Sequence, residues 1–221
     1  MDIIYFSGVR LSFPHLVTPQ EQANEQTGVK RISYNGELIM PQDNPGFQQF
    51  MAKYGELALN AWKENAAAVM QMILQDRKSR CFGRGEEKIN KKTFTPYDGY
   101  PGMVYVTVGR DTPPQMIQDN GQPIDPNNSM AYQQLARKMY GGCYVNAAVK
   151  PWIQQNKHGN GIRCDLVALQ FCKDGEAFGD GGAPDVSGMF GAVVGAAPSF
   201  MQPAAAPMPA APFGMPSFLG G

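Results

Sequence analysis

Between residues 143 and 153 apolar and polar side chains alternate. Cys143, Val145, Ala147, Val149 and Ile153 fall on one side of an extended strand, and Tyr144, Asn146, Lys150 and Trp152 on the other. The first set predicts a core face and the second a polar face that can stack on a flat partner. The stretch NKHGNG, residues 156–161, supplies the Asn and Gly residues that tolerate positive φ in a hairpin turn. The apolar run 162–172 then returns antiparallel, with Leu166, Val167, Leu169 and Phe171 expected to be buried on both sides.

The same period of two marks Val9, Leu11 and Phe13, alternating with Arg10 and Ser12, as a half-buried first strand stopped by Pro14. Residues 18–28 read as a polar loop and residues 32–40 as a short strand. In residues 103–108, Val104, Val106 and Val108 face one way and Met103, Tyr105 and Thr107 the other. After Asn44 the period switches to that of a helix. Asn44 is its cap, Pro45 its first position, and Phe47, Phe50, Met51, Tyr54, Leu57, Ala58, Ala61 and Trp62 recur along it. Residues 66–74 continue as a second helix, residues 113–128 form a loop rich in Pro, Asn and Asp, and residues 129–140 form a short helix ended by Gly141 and Gly142.

From Asp180 onward no period survives, and a mixture of Pro, Ala, Gly, Met and Phe cannot bury a core of its own. The expected organisation is one domain, residues 1–179, followed by a flexible, disordered tail, residues 180–221. Phe190, Phe200, Phe213 and Phe218, with Met189, Met201, Met208 and Met215, are spaced along that tail as docking points for a partner.

Charge narrows the picture. The chain carries 19 Lys and Arg and 19 Asp and Glu, which by itself argues against a polyanion partner. All 19 cations precede Gly179, however, while Asp180 and Asp185 lie beyond it, so the domain is slightly positive and any nucleic-acid contact must come from local clusters. The main cluster is residues 77–92, RKSRCFGRGEEKINKK, with seven basic residues against two acidic ones. Phe94, Tyr97 and Tyr100 follow it at once.

Cys81, Cys143, Cys164 and Cys172 form no CxxC pair, so they read as free, mostly buried thiols of a reducing cytoplasm. His15 and His158 are not at ligand spacing from another candidate, so no metal is expected. No secretory leader and no apolar run of membrane-spanning length is found, and there is no phosphate-binding glycine loop or nucleophile triad. The chain is therefore expected to be neither an enzyme nor a cofactor carrier.

Binding single-stranded nucleic acid needs cations that track the phosphates and aromatic faces on which bases stack. The candidates for backbone contact are Arg77, Lys78, Arg80, Arg84, Lys88, Lys91, Lys92 and Lys150. Those for stacking are Tyr97, Tyr100, Tyr105, Tyr144 and Trp152.

Three segments carry a resemblance: GVRLSFPHL at residues 8–16, YGGCYVNAAVKPW at 140–152, and GNGIRCDLVALQFCKDGEAFG at 159–179. With GQPIDPN at 121–127 as a looser match, the chain resembles the phage-encoded single-stranded DNA-binding proteins of OB-fold type over most of residues 8–179. The resemblance implies a mainly β fold, a five-stranded OB barrel with helical and loop insertions. It implies binding of single-stranded DNA without sequence preference, and protection of that DNA during phage replication and recombination in the cytoplasm of the infected bacterial cell. Tyr144, Lys150 and Trp152 would sit on a barrel strand, and residues 77–92 would flank the groove. Many such proteins recruit replication enzymes through a strongly acidic tail. This tail has only Asp180 and Asp185, so contacts with replication or recombination proteins, or with further copies on DNA, would be hydrophobic instead. The rival readings are a phage structural or assembly protein and a strand-annealing recombination protein.

Overall fold

The structure, a computed structural model, describes residues 2–23, 30–125, 127–156 and 159–179, without the side chains of Gln22 and Ala23. His158 and the 180–221 segment lie outside the described residues. Among the described residues the fold is mainly β with three α-helices. The strands are β1 (Ile4–Ala23), β2 (Lys30–Met40), β3 (Phe82–Arg84), β4 (Val104–Arg110), β5 (Gln115–Ile117), β6 (Tyr144–Asn156) and β7 (Gly159–Lys173). Helices α1 (Pro45–Trp62) and α2 (Ala66–Gln75) separate β2 from β3, and α3 (Ser129–Lys138) precedes β6.

The described strands form one sheet in the order β3-β4-β2-β1-β6-β7-β5. Its five long strands are antiparallel neighbours, β1 pairing with both β2 and β6. The ends of this series, β4 and β7, come together and close a barrel. The segment before β3 bridges the seam: Ile162 N–H donates to the Ser79 carbonyl at 2.8 Å, and Thr107 N–H to the Cys81 carbonyl at 2.6 Å. This is the connectivity of an OB barrel, with β3 and β5 as short additions at the edges.

Alternation fills the interior. Val104, Val106 and Val108 of β4, Val145, Ala147 and Val149 of β6, and Leu38 and Met40 of β2 are all buried in one core. Helix α1 adds Phe47, Phe50, Tyr54 and Ala58 at helical spacing, Phe50 lying 6.3 Å from Phe6 and 5.8 Å from Phe82. Burial of each large side chain is worth about 1.5–3 kcal/mol. The cap is as expected: Asn44 Oδ1 accepts from Gly46 N–H at 2.9 Å and Phe47 N–H at 3.3 Å. Gly46 lets the helix start close to β1, because a Cβ there would lie 2.6 Å from the Tyr5 carbonyl oxygen.

Several expectations are corrected. Residues 18–23, read as part of a loop, continue β1 in its ladder with β2, and the 113–128 loop contains the short strand β5. Pro14 therefore does not end the first strand. Between Ser12↔Glu37 and His15↔Asn35 the register slips by one residue, and the resulting bulge takes Pro14 where no ladder donor is needed. Phe13, at φ 46°, is thereby turned out of the core series of Val9 and Leu11 and is exposed. The return strand β7 is not buried on both sides either. Ile162, Cys164 and Leu166 face the core, and Arg163 and Asp165 face outward, half-buried. A bulge at Val167 between the pairs Ala148↔Ala168 and Val149↔Leu166 then shifts the phase so that Leu169 returns inward.

Candidate nucleic-acid interface

Where β2, β4, β6 and β7 turn their outer faces to solvent, a groove of about 1010 Å³ crosses the barrel. Eight Lys and Arg side chains line it against three carboxylates, Glu37, Asp111 and Asp165. The surplus is local: it arises although the whole chain is neutral. Low-dielectric walls around like charges focus the field into such a cleft.

One wall comes from the hairpin. Lys150 and Trp152 project from β6, and Arg163 of β7 stands in register with Trp152. Trp152 remains 39% exposed, although it lies on a central barrel strand. Its Nε1–H donates to Asp165 Oδ1 at 2.7 Å, which fixes the ring while leaving a face open.

Another part of the groove wall is aromatic. Bulged Phe13 meets Tyr97 edge-on, ring centres 5.0 Å apart at 81°. Tyr97 belongs to residues 85–103, which fold back over β4. This return depends on Gly85, whose N–H donates to the Met103 carbonyl at 2.8 Å and where a Cβ would fall 1.7 Å from the Tyr100 carbonyl oxygen. The floor between the walls is held by buried Glu37. It accepts from Tyr100 Oη at 2.6 Å, from Thr107 Oγ1 at 3.3 Å, and from Lys88 Nζ, which also lies 4.5 Å above the Tyr105 ring. Burial, and then the neighbouring Glu37 carboxylate, push the Tyr100 hydroxyl far above its ordinary pKa, so it stays a proton donor to Glu37.

Seven of the thirteen residues singled out from the sequence line this groove: Arg77, Lys78, Arg80, Lys88, Tyr97, Lys150 and Trp152. Arg80 is also tied down, donating to Glu87 Oε2 at 2.7 Å and to the Phe82 carbonyl at 2.9 Å. Tyr100 and Tyr105 lie beneath the groove, 0% and 5% exposed, because residues 85–103 cover the outer face of β4 at that end. They shape the floor and present no ring to solvent. Arg84, Lys91 and Lys92 are exposed outside the groove. Tyr144 sits at the far end of β6, eight residues or roughly 26 Å from Trp152 at about 3.3 Å per residue. There it packs between Arg10, 5.5 Å away, and Lys173, 4.8 Å away. Among the described residues, no group of His, Cys, Asp and Glu is arranged to hold a metal ion, and no helix is long and apolar enough to cross a membrane.

The alternation over β6 did not reveal Phe13, Arg31, Arg110 or Arg163, which also line the groove. Arg163 carried a usable signal, since Ile162, Cys164 and Leu166 alternate with Arg163 and Asp165. Phe13 carried none, because its exposure follows from the bulge.

The family model described as "Enterobacter phage Enc34, ssDNA-binding protein" matches residues 1–195 of the chain. The chain belongs to this family. A curated relative, "Putative protein p50" of Acyrthosiphon pisum secondary endosymbiont phage 1, is 26% identical over 185 residues, spanning 83% of this chain and 90% of the relative. Among solved structures, the fold is similar to the single-stranded DNA-binding protein from bacteriophage Enc34 in complex with ssDNA. The TM-score is 0.58 at 26% identity, covering 80% of this chain and 90% of that one. A second structure of the Enc34 protein gives a TM-score of 0.56 at 26% identity, covering 84% of this chain and 88% of that one.

Proposed function

We propose that this protein binds single-stranded DNA in the groove, without sequence preference, and protects it during phage DNA replication and recombination in the cytoplasm of the infected cell. Binding, with no catalytic step, is the whole of its action. The observation that carries this reading is the groove itself, one cleft lined by eight cations and two separate aromatic groups in a chain of zero net charge. Membership of the Enc34 family supports it.

Arg77, Lys78, Lys150 and Arg163 neutralise phosphates, Lys88 stays on Glu37 in the floor, and Trp152, Tyr97 and Phe13 receive bases. Every base offers a π-face, so stacking of this kind is indifferent to sequence. Arg80 orders the seam and adds its charge to the field. The groove lies on the outer surface of the β2–β4 side of the barrel, the face by which OB folds take oligonucleotides. Self-association along the strand, and contacts of residues 180–221 with phage replication or recombination proteins, belong to the same reading.

The test is titration of a fluorescently labelled oligo-dT and a matched duplex at two salt concentrations. With about four phosphates neutralised, a slope of about −0.7 per phosphate weakens binding roughly fifty-fold between 50 and 200 mM salt. The single strand is expected to bind more tightly than the duplex. A flat salt response, or equal affinity for heparin, contradicts the reading.

A further inference from the structure

Lys88 and Tyr97, both in the groove, are the two ends of a short hairpin, joined by Tyr97 N–H donating to the Lys88 carbonyl at 3.0 Å and by a bridge between Ile89 and Pro96. At its tip Phe94 is 81% exposed, more than any other large apolar side chain among the described residues. Its backbone is left-handed, at φ 57°. A β-carbon is disfavoured there, and glycine or asparagine is the ordinary occupant.

The tip is nevertheless rigidly built. Asn90 N–H donates to the Thr95 carbonyl and Phe94 N–H to the Asn90 carbonyl, each at 2.8 Å. Asn90 Oδ1 accepts from Lys92 N–H at 2.9 Å, and the Thr93 and Thr95 hydroxyls pair at 2.8 Å. Lys91 and Lys92 beside the ring are exposed, and neither forms an ion pair among the described residues. A strained, ordered turn that holds an aromatic ring in water two and three residues after two exposed cations gains nothing for the fold. It has the composition of a stacking and phosphate-binding tip.

We propose that the 91–94 tip is a second contact point for single-stranded DNA, taking the part of the strand that leaves the groove past Tyr97. Phe94 stacks on a base, and Lys91 and Lys92 meet the flanking phosphates. This rests on the groove being the primary site. It makes the tip a determinant of site size, felt by long strands and not by short ones.

The experiment compares oligo-dT of about four and about sixteen nucleotides, the span of site sizes for one OB fold, on the full chain and on two variants. Phe94→Gly relieves the left-handed strain while removing the ring, and Lys91→Gln with Lys92→Gln removes the charges. Phe94→Gly should raise the melting temperature yet weaken binding of the longer oligonucleotide by about five-fold or more, the loss of one stacked base. The double Lys variant should reduce the salt slope for the longer oligonucleotide by about 1.4. Both should bind the shorter one as the parent does. Unchanged affinity for the longer strand overturns the proposal and leaves the ring to a protein partner. Equal losses at both lengths also overturn it. If the parent chain binds neither length, the groove reading itself fails, which is a separate result.

Discussion

Trp152 and Asp165 are joined across the β6–β7 pair, the indole Nε1–H donating to Asp165 Oδ1 at 2.7 Å. A carboxylate in a groove for a polyanion opposes binding electrostatically, yet here it orients the ring proposed to receive a base. The two effects separate in Asp165→Asn, because the amide oxygen still accepts from the indole while the charge is gone. This variant is expected to bind oligo-dT about two- to five-fold more tightly at low salt, in line with about 0.5–1 kcal/mol for one partly exposed charge. Anisotropy titration checks it, and weaker binding would show that the charge itself is needed.

Glu37 joins the floor to both walls through Tyr100, Thr107 and Lys88. In Glu37→Ala the buried Tyr100 hydroxyl and the Lys88 ammonium both lose their acceptor, at a cost of about 3 kcal/mol. In Glu37→Gln an oxygen remains for Tyr100, and the loss should be clearly smaller. Urea denaturation of the two variants reads the difference; equal losses would contradict the role given to Tyr100.

The hairpin face that carries Lys150 and Trp152 was legible because β6 is regular from Tyr144 through Trp152, so its period of two survives folding. Legibility failed wherever the chain leaves a regular ladder. Phe13 continues the alternation of Val9 and Leu11 in sequence, and only the bulge with Pro14 turns it outward. Tyr105 sits on the outer face of β4 as its alternation requires, but residues 85–103 come from elsewhere in the chain to cover it. The Arg77–Lys78 cluster was visible as composition, whereas its place in the groove depends on the seam that Ser79 and Cys81 make with β7 and β4. Tyr144 and Trp152 share a strand face and still do not share a site, because distance along a strand is not read from alternation.

The four thiols divide by burial. Burial pushes Cys81 and Cys143 up to about 12, raises Cys164 well above its ordinary value and raises Cys172 as well, but Cys172 alone of the four is exposed. A maleimide or disulfide reagent at neutral pH should therefore modify one cysteine in the native protein and all four in denaturant, with Cys172 located by peptide mapping. Native modification of a second cysteine would contradict the closed barrel.

Two exposed carboxylates hold the loops that border the groove. The Ser79 hydroxyl at 2.6 Å, and then the Lys78 N–H at 3.0 Å, lower Asp76 from its ordinary 3.8. The Gly102 N–H at 2.7 Å lowers Glu86 from 4.5. Depressed folded values stabilise the native state above the ordinary pKa, and the contribution is lost as pH falls through the folded value. Stability should therefore be level down to about pH 5 and decline below about pH 4. The denaturation midpoint measured across that range should decline less steeply in Asp76→Ala. An identical decline would remove Asp76 from the explanation.

In the proposed complex, DNA lies in the groove bounded by Trp152 and Tyr97. The most direct measurement is the affinity of labelled oligo-dT for Trp152→Ala and Tyr144→Ala, two aromatic truncations on the same face of one strand. Loss of a stacked base at about 1–3 kcal/mol predicts roughly five- to 150-fold weaker binding for Trp152→Ala, while Tyr144→Ala should stay within about two-fold of the parent. Weakening by Tyr144→Ala with Trp152→Ala unchanged would place the strand at the other end of β6 and contradict the account.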